Sequence, residues 1–425
     1  MMNVLFVVPN YPGRVSEYLI LPSIELCIIS SILKQNNISV SIIDMRIDNI
    51  LVENLDNILK NYNPNLILID DIPEVHCNSV KIIDKLRKFY GEKIKIGIRG
   101  EIASFAPLMV MQRNINLDFI LRYNYDYSLL NYIKNYSDID KLREINNIVF
   151  RYNNEIIINN IKNCDYELDS LPMPDRELYD IKKYLSRDSE TIVKSSRGCP
   201  GNCIFCIKTK MEKFQLFSMK RFCDEIEILL NYGFKSFFFS DDTFAFSMKR
   251  LEEFAYEIKK RNLRIRWTSN IRIKDITDEK IKLMKNLGAY RVFVGIETIN
   301  EESSNIINKK LKKQEIEEKI NILKKHDMQF HASFILGNPG DTEKDLENTI
   351  KFVKKIQPTL VTFNLIKIYP GLELYNNPEK YDMIMPDEFW FEKDEWTNKV
   401  IMGTKKLPPE KLEFWAKKML WEFIQ

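Results

Sequence analysis

The sequence predicts an α/β protein: a doubly wound, Rossmann-like domain, then a partial (β/α)6 barrel, then a short C-terminal helical tail. Three observations predict it. Short apolar runs alternate with helical periodicity over residues 1–140. A segment with two prolines, Leu168-Asp169-Ser170-Leu171-Pro172-Met173-Pro174-Asp175-Arg176, resists helix formation and favours an extended crossing. A second series of strand-then-helix units begins at Thr191 and supplies six strands, too few for a closed eight-unit barrel. Strands joined by helical crossovers form parallel sheets, and such sheets bind ligands beyond the carboxyl ends of their strands.

In the first domain, Asn3–Val8, Val40–Asp44, Leu66–Asp70, Ile94–Ile98 and Phe119–Leu121 are apolar and strand-like. Leu21–Gln35, Leu51–Asn61, Val80–Tyr90 and Tyr127–Tyr136 carry helical spacing between them. Residues 141–190 read as a linker with a small strand pair, Asn147–Tyr152 and Glu155–Asn159. In the barrel, residues 191–370, the expected strands are Thr191–Ser195, Ser236–Ser240, Arg266–Ser269, Arg291–Val294, Gln329–Ile335 and Leu360–Ile368. Its expected helices include Ser247–Arg261, Asp278–Leu287, Lys313–His326 and Asp341–Ile356. Residues 371–425 read as a Trp-rich tail on the substrate side, ending in an amphipathic helix, Pro408–Ile424.

The 425 residues are 45% hydrophobic, ample for two or three packed domains. The net charge of +3 comes from 63 basic and 60 acidic residues that interleave, as in Lys309-Lys310-Leu311-Lys312-Lys313-Gln314-Glu315. Such runs read as solvated helix faces, so neither a nucleic acid nor a membrane is expected as partner. No apolar run reaches the roughly 18 residues that span a bilayer. The N-terminus reads as a strand and not a signal peptide. With seven Cys, four of them scattered (Cys27, Cys77, Cys164 and Cys223), a reducing cytoplasm without disulfides is expected.

The other three Cys are the most informative feature. Arg197-Gly198-Cys199-Pro200-Gly201-Asn202-Cys203-Ile204-Phe205-Cys206 is a C-x3-C-x2-C triplet just after the first barrel strand. Three thiolates cannot close a tetrahedral zinc site alone, and no His or fourth Cys follows nearby. They can hold three irons of a 4Fe-4S cubane and leave the fourth iron open to a ligand, whereas the usual four-Cys set leaves none. A zinc knob or three unrelated thiols is the alternative.

Further candidates end the later strands. Ser240-Asp241-Asp242-Thr243 offers paired acids, or a helix cap. Trp267-Thr268-Ser269-Asn270-Ile271-Arg272 offers a guanidinium able to clamp a carboxylate. Gly295-Ile296-Glu297-Thr298 offers a carboxylate acceptor, and Gly337-Asn338-Pro339-Gly340-Asp341-Thr342 is a tight turn with free backbone N–H groups, or a plain turn capped by Asp341.

Together these strings, with Tyr369-Pro370-Gly371-Leu372-Glu373, resemble the radical S-adenosylmethionine (SAM) superfamily, in the branch with a cobalamin-binding-type domain before the barrel. The resemblance implies that Cys199, Cys203 and Cys206 hold the cluster and that SAM chelates its open iron. It further implies that Phe205, Asp241, Asp242, Asn270, Arg272, Glu297 and Gly337 approach SAM. The implied activity is reductive cleavage of SAM to a 5'-deoxyadenosyl radical, which abstracts hydrogen from an unactivated carbon of a small-molecule or peptide substrate. Flavodoxin or ferredoxin is the implied electron donor.

The first domain departs from the family pattern. A Gly-Gly pair is usual where Arg99-Gly100 stands, Gly-Glu-Gly-Glu where Tyr123-Asn124-Tyr125-Asp126 stands, and a small hydroxyl residue where Asp70-Asp71 stands. No Asp-x-His-x-x-Gly run supplies an axial ligand. Either cobalamin binds an altered pocket, or the domain keeps the fold without the cofactor; two tyrosines in place of glycines favour the second. A cobalamin-dependent C-methyltransferase is the alternative activity, and a metal-stabilised binding protein the alternative of another class. A tRNA-methylthiolating enzyme is disfavoured, because the first domain has no Cys triplet and no basic C-terminal module follows.

Overall fold

The computed structural model describes residues 2–12, 20–123, 125–163, 165–187, 190–207, 213–387, 390–393 and 399–423. Cys164 and Asn124 lie outside them. The chain divides into two compact units, residues 1–188 with 389–397, and 189–388 with 398–425.

The first unit is built on a seven-stranded sheet. Its strands are β1 (Asn3–Val8), β2 (Ser39–Asp44), β3 (Leu66–Asp70), β4 (Lys95–Arg99), β5 (Phe119–Leu121), β6 (Ile148–Tyr152) and β7 (Glu155–Ile158), in the order β2-β1-β3-β4-β5-β6-β7. The first five are parallel. β3 is buried along its whole length, as a strand covered on both faces must be. The order reverses between β1 and β3, which makes the ends of those strands the switch point where such folds bind ligands.

The expected strand pair near residue 150 is not a separate linker element. β6 adds antiparallel to β5, with Ile120 opposite Val149, and β7 folds back on β6. The turn is Asn153-Asn154, with φ of 47° and 66°, the left-handed pair that a tight hairpin needs and Asn tolerates. The first helix begins at Ile24, later than expected, because the Ser23 side chain caps it by accepting from the Leu26 N–H.

The second unit carries six parallel strands in chain order: β8 (Glu190–Val193), then β11 (Ser236–Phe239), β12 (Arg266–Arg272), β13 (Ala289–Glu297), β14 (Gln329–Leu336) and β15 (Leu360–Leu365). A short ladder of β9 (Ser196–Arg197) and β10 (Gln215–Leu216) lies between the first two. Burial alternates along β14: Phe330, Ala332, Phe334 and Leu336 are buried, while His331, Ser333 and Ile335 are half-buried. One face of the sheet is therefore core and the other is open, as the partial barrel requires. Stacked Phe239 and Trp267 (4.5 Å between centroids), with Phe222, Phe244 and Phe254, form an aromatic core under β11 and β12.

The tail is divided. Trp390 and Phe391 are buried in the first unit, where the Phe391 ring meets His76 at 5.5 Å. The helix Pro409–Phe423 buries Leu412, Trp415 and Met419 against Leu336, Leu346 and Ile350 of the second. Its apolar stripe thus completes a core cluster, as an amphipathic helix does. Among the described residues no helix is long and apolar enough to cross a membrane.

Candidate active site

The chain bends sharply after β8. Asp241, fully buried at the end of β11, accepts from the Ser195 N–H (3.1 Å) and Ser195 Oγ (2.9 Å), and also binds Ser196 Oγ. Arg250 Nη2 donates to the Ser195 carbonyl at 2.8 Å. This latch starts the cysteine loop. Gly198, with φ of 71°, turns it, and the Gly201 N–H donates to Cys199 Sγ at 3.3 Å. The loop is tied to the segment after the helix Glu301–Ile306. There the Ile204 N–H donates to the Ile307 carbonyl (3.3 Å), and Asn308 Nδ2 to the Asn202 carbonyl (2.6 Å).

Cys199, Cys203 and Cys206 are partly exposed, while Cys27, Cys77 and Cys223 are buried. All three thiols of the loop line one cavity of about 380 Å³, with Phe205, Asp242, Asn270, Arg272, Glu297 and Lys309. The cavity continues along the open face of the sheet past Phe293, His331, Ser333 and Thr362. Burial pushes the Cys203 thiol up, and the Lys309 ammonium opposes it. Among the described residues no three His, Cys, Asp or Glu side chains are placed to hold a single metal ion. Three soft thiolate donors facing one cavity instead fit an iron–sulfur cluster, each thiolate on its own iron.

The charged lining is already partly paired. Arg272 spends its fork on Asp275, with Nε to Oδ2 at 2.6 Å and Nη2 to Oδ1 at 2.9 Å, while Nη1 has no hydrogen-bond partner among the described residues. Asn270 Nδ2 donates to the Asp241 carbonyl at 2.9 Å. Glu297 has a left-handed backbone, φ 69°. Its carboxylate folds over Gly295, where an added Cβ would stand 2.4 Å from Oε1, so the glycine makes room for the acid. Lys309 Nζ meets that same Oε1 at 3.2 Å and donates to the Gly295 carbonyl at 3.0 Å. Burial opposes the charge of Lys309, but Glu297 and then Cys203 outweigh it and hold the ammonium above the usual lysine range.

Of the residues expected near SAM, five line the cavity and two do not. Asp241 points into the core as the latch of the cysteine loop. Gly337 (φ 90°) faces the tail helix, since a Cβ there would meet Leu412 Cδ1 at 2.7 Å. Sequence reasoning missed Lys309, which sits in a lysine run read as solvated.

Residues 193–353 match the radical SAM superfamily. The chain is a radical SAM enzyme, and its cofactors are a 4Fe-4S cluster and SAM. Its first unit has the parallel-sheet fold of the N-terminal domain found in cobalamin-dependent relatives of this superfamily. It is 26% identical over 380 residues to an uncharacterized methyltransferase of Pyrococcus horikoshii, a match that spans 88% of this chain and 82% of the relative. The fold superposes on the radical SAM methyltransferase TsrM of Kitasatospora setae, solved with cobalamin and a 4Fe-4S cluster. The TM-score is 0.79 at 13% identity, covering 100% of this chain and 89% of that one. It also superposes on OxsB, a cobalamin-dependent SAM radical enzyme, with TM-score 0.79 at 17% identity, covering 99% of this chain and 66% of that one.

Proposed function

We propose that the cavity at the ends of β8, β12 and β13 binds the cluster and SAM, and that the open face of the barrel presents a small-molecule or peptide substrate to them. The observation that carries this reading is the convergence of three thiols, Arg272 and the Glu297–Lys309 pair on one cavity. A cluster held by Cys199, Cys203 and Cys206 would supply one electron to SAM, whose cleavage to methionine and a 5'-deoxyadenosyl radical would allow hydrogen abstraction from substrate carbon, with 5'-deoxyadenosine as the product. The electron comes from a low-potential donor such as flavodoxin or ferredoxin, in the cytoplasm.

The chain's own residues bind and orient. Cys199, Cys203 and Cys206 hold the irons. The unspent Nη1 edge of Arg272 suits the methionine carboxylate, Asp242 suits its ammonium, and Phe205 offers an apolar face to adenine. Glu297, fixed by Lys309, accepts from the ribose hydroxyls. Lys309 is therefore a positioning residue. Further along, His331 is held neutral by burial and by Arg291, with Nε2 at 3.2 Å from Thr362 Oγ1. A neutral hydrogen-bonding floor of this kind suits the substrate end of the cavity.

The relatives' names favour a second reading, cobalamin-dependent methyl transfer, which requires a corrinoid site in the first domain. The leading reading is tested by reconstituting the protein with iron and sulfide, reducing it with dithionite and adding SAM. 5'-Deoxyadenosine should form, even without substrate, as slow uncoupled cleavage. Its complete absence from protein with a full cluster would remove the assignment.

A further inference from the structure

We propose that the first domain has the fold of a corrinoid carrier but does not bind a corrinoid, because its own side chains occupy the strand-end crevice. The inference rests on the radical SAM reading above and decides between its two outcomes, hydrogen abstraction and methyl transfer.

Three linked polar groups close the ends of β2, β3 and β4. At the end of β4, Arg99 forms an ion pair with Asp70 at the end of β3. The same guanidinium donates to Ser23 Oγ at 2.9 Å and to the Tyr125 hydroxyl at 2.5 Å, with its carbon 5.4 Å from the centre of the Tyr125 ring. One residue thus spans from the cap of the first helix, across the switch point, to the loop after β5. Beside it, Asp71 accepts from Ser79 Oγ (2.6 Å) and pairs with His76 Nδ1 (2.7 Å), both side chains of that pair fully buried. At the end of β2, Asp44 holds Arg46 (2.8 Å) and the Tyr184 hydroxyl (2.5 Å), while Arg46 reaches the Leu21 carbonyl at 3.1 Å.

Among the described residues, no glycine of this layer keeps space open. Gly100 is packed against Asp71, whose carbonyl oxygen would lie 2.2 Å from an added Cβ. Tyr123 and Tyr125 are 7% and 8% exposed. A corrinoid tail entering between β1 and β3 would have to break the Arg99–Asp70 pair and leave a buried charge uncompensated. It would also displace two packed rings.

The test uses the full chain, reconstituted anaerobically with its cluster, incubated with excess hydroxocobalamin and desalted. The expected result is well under one corrinoid per chain by visible absorbance, with iron content retained. With SAM and dithionite the same sample should form 5'-deoxyadenosine and no S-adenosylhomocysteine. Near-stoichiometric corrinoid after desalting overturns the inference, as does S-adenosylhomocysteine that depends on added cobalamin. Loss of 5'-deoxyadenosine with low corrinoid would count against the radical reading alone, so the two failures are distinguishable.

Discussion

The chain has two parallel sheets, and the carboxyl ends of their strands have opposite fates. In the first sheet, Asp44, Asp70, Asp71 and Arg99 end or follow the strands, and each is paired with a neighbour within the same layer. In the second, Arg272 and Glu297 end the strands, and partners hold them at the wall of a cavity that three thiols also face. Charge at a strand end is thus no sign of a ligand by itself. What separates the two regions is whether the partners fill the crevice or stand behind its lining.

The largest effect expected is on the open side. Replacing Cys199, Cys203 or Cys206 by Ala should abolish iron binding and SAM cleavage. Replacing Cys27, Cys77 or Cys223, all buried, should leave both intact. Cleavage at the unmodified rate in any of the first three variants would break the comparison at its stronger end.

On the closed side the expected effect is on stability. Arg99→Ala leaves Asp70 buried without its partner, a loss of about 3–5 kcal/mol. Adding Asp70→Asn removes the orphaned charge and should restore part of it in denaturant titrations. If Arg99→Ala unfolds no more readily than the parent, the network is not what closes the crevice.

The smallest effect sharpens the open side. Glu297→Gln and Lys309→Met should each weaken SAM binding by about 1.5–3 kcal/mol, the range for a hydrogen bond to a charged group. Because the two act as a pair, the double variant should lose little more than either single one. Lys309→Arg should recover part of the affinity. Calorimetric titration of cluster-loaded protein reads all four, and fully additive losses would show that Lys309 does not act through Glu297.

Much of this was legible in the sequence because it is local. The cysteine spacing lies within one loop, and the strand-end motifs follow their strands directly. What was not legible depends on distant pairing. Asp241 and Asp242 are adjacent, yet one is core and the other lines the cavity, because Ser195 and Ser196, distant in sequence, hold the first carboxylate inward. Lys309 looks like any member of a lysine run. Only the turn around it, with Asn308 and Lys310 at φ of 61° and 53°, folds its ammonium onto Glu297. Gly337 resembled a ligand turn until the helix Pro409–Phe423, some seventy residues later in sequence, was seen packed on it. The strand pair near residue 150 was recognisable as a hairpin, but its attachment to β5 is a non-local contact that no short pattern encodes.

The central claim, that the barrel cavity holds a cluster with an iron open to SAM, is tested most directly by electron paramagnetic resonance of the reduced, reconstituted protein. The expected result is the signal of a reduced 4Fe-4S cluster whose g values shift when SAM is added. A signal unchanged by saturating SAM, or a protein that takes up zinc in place of iron and sulfide, would contradict it.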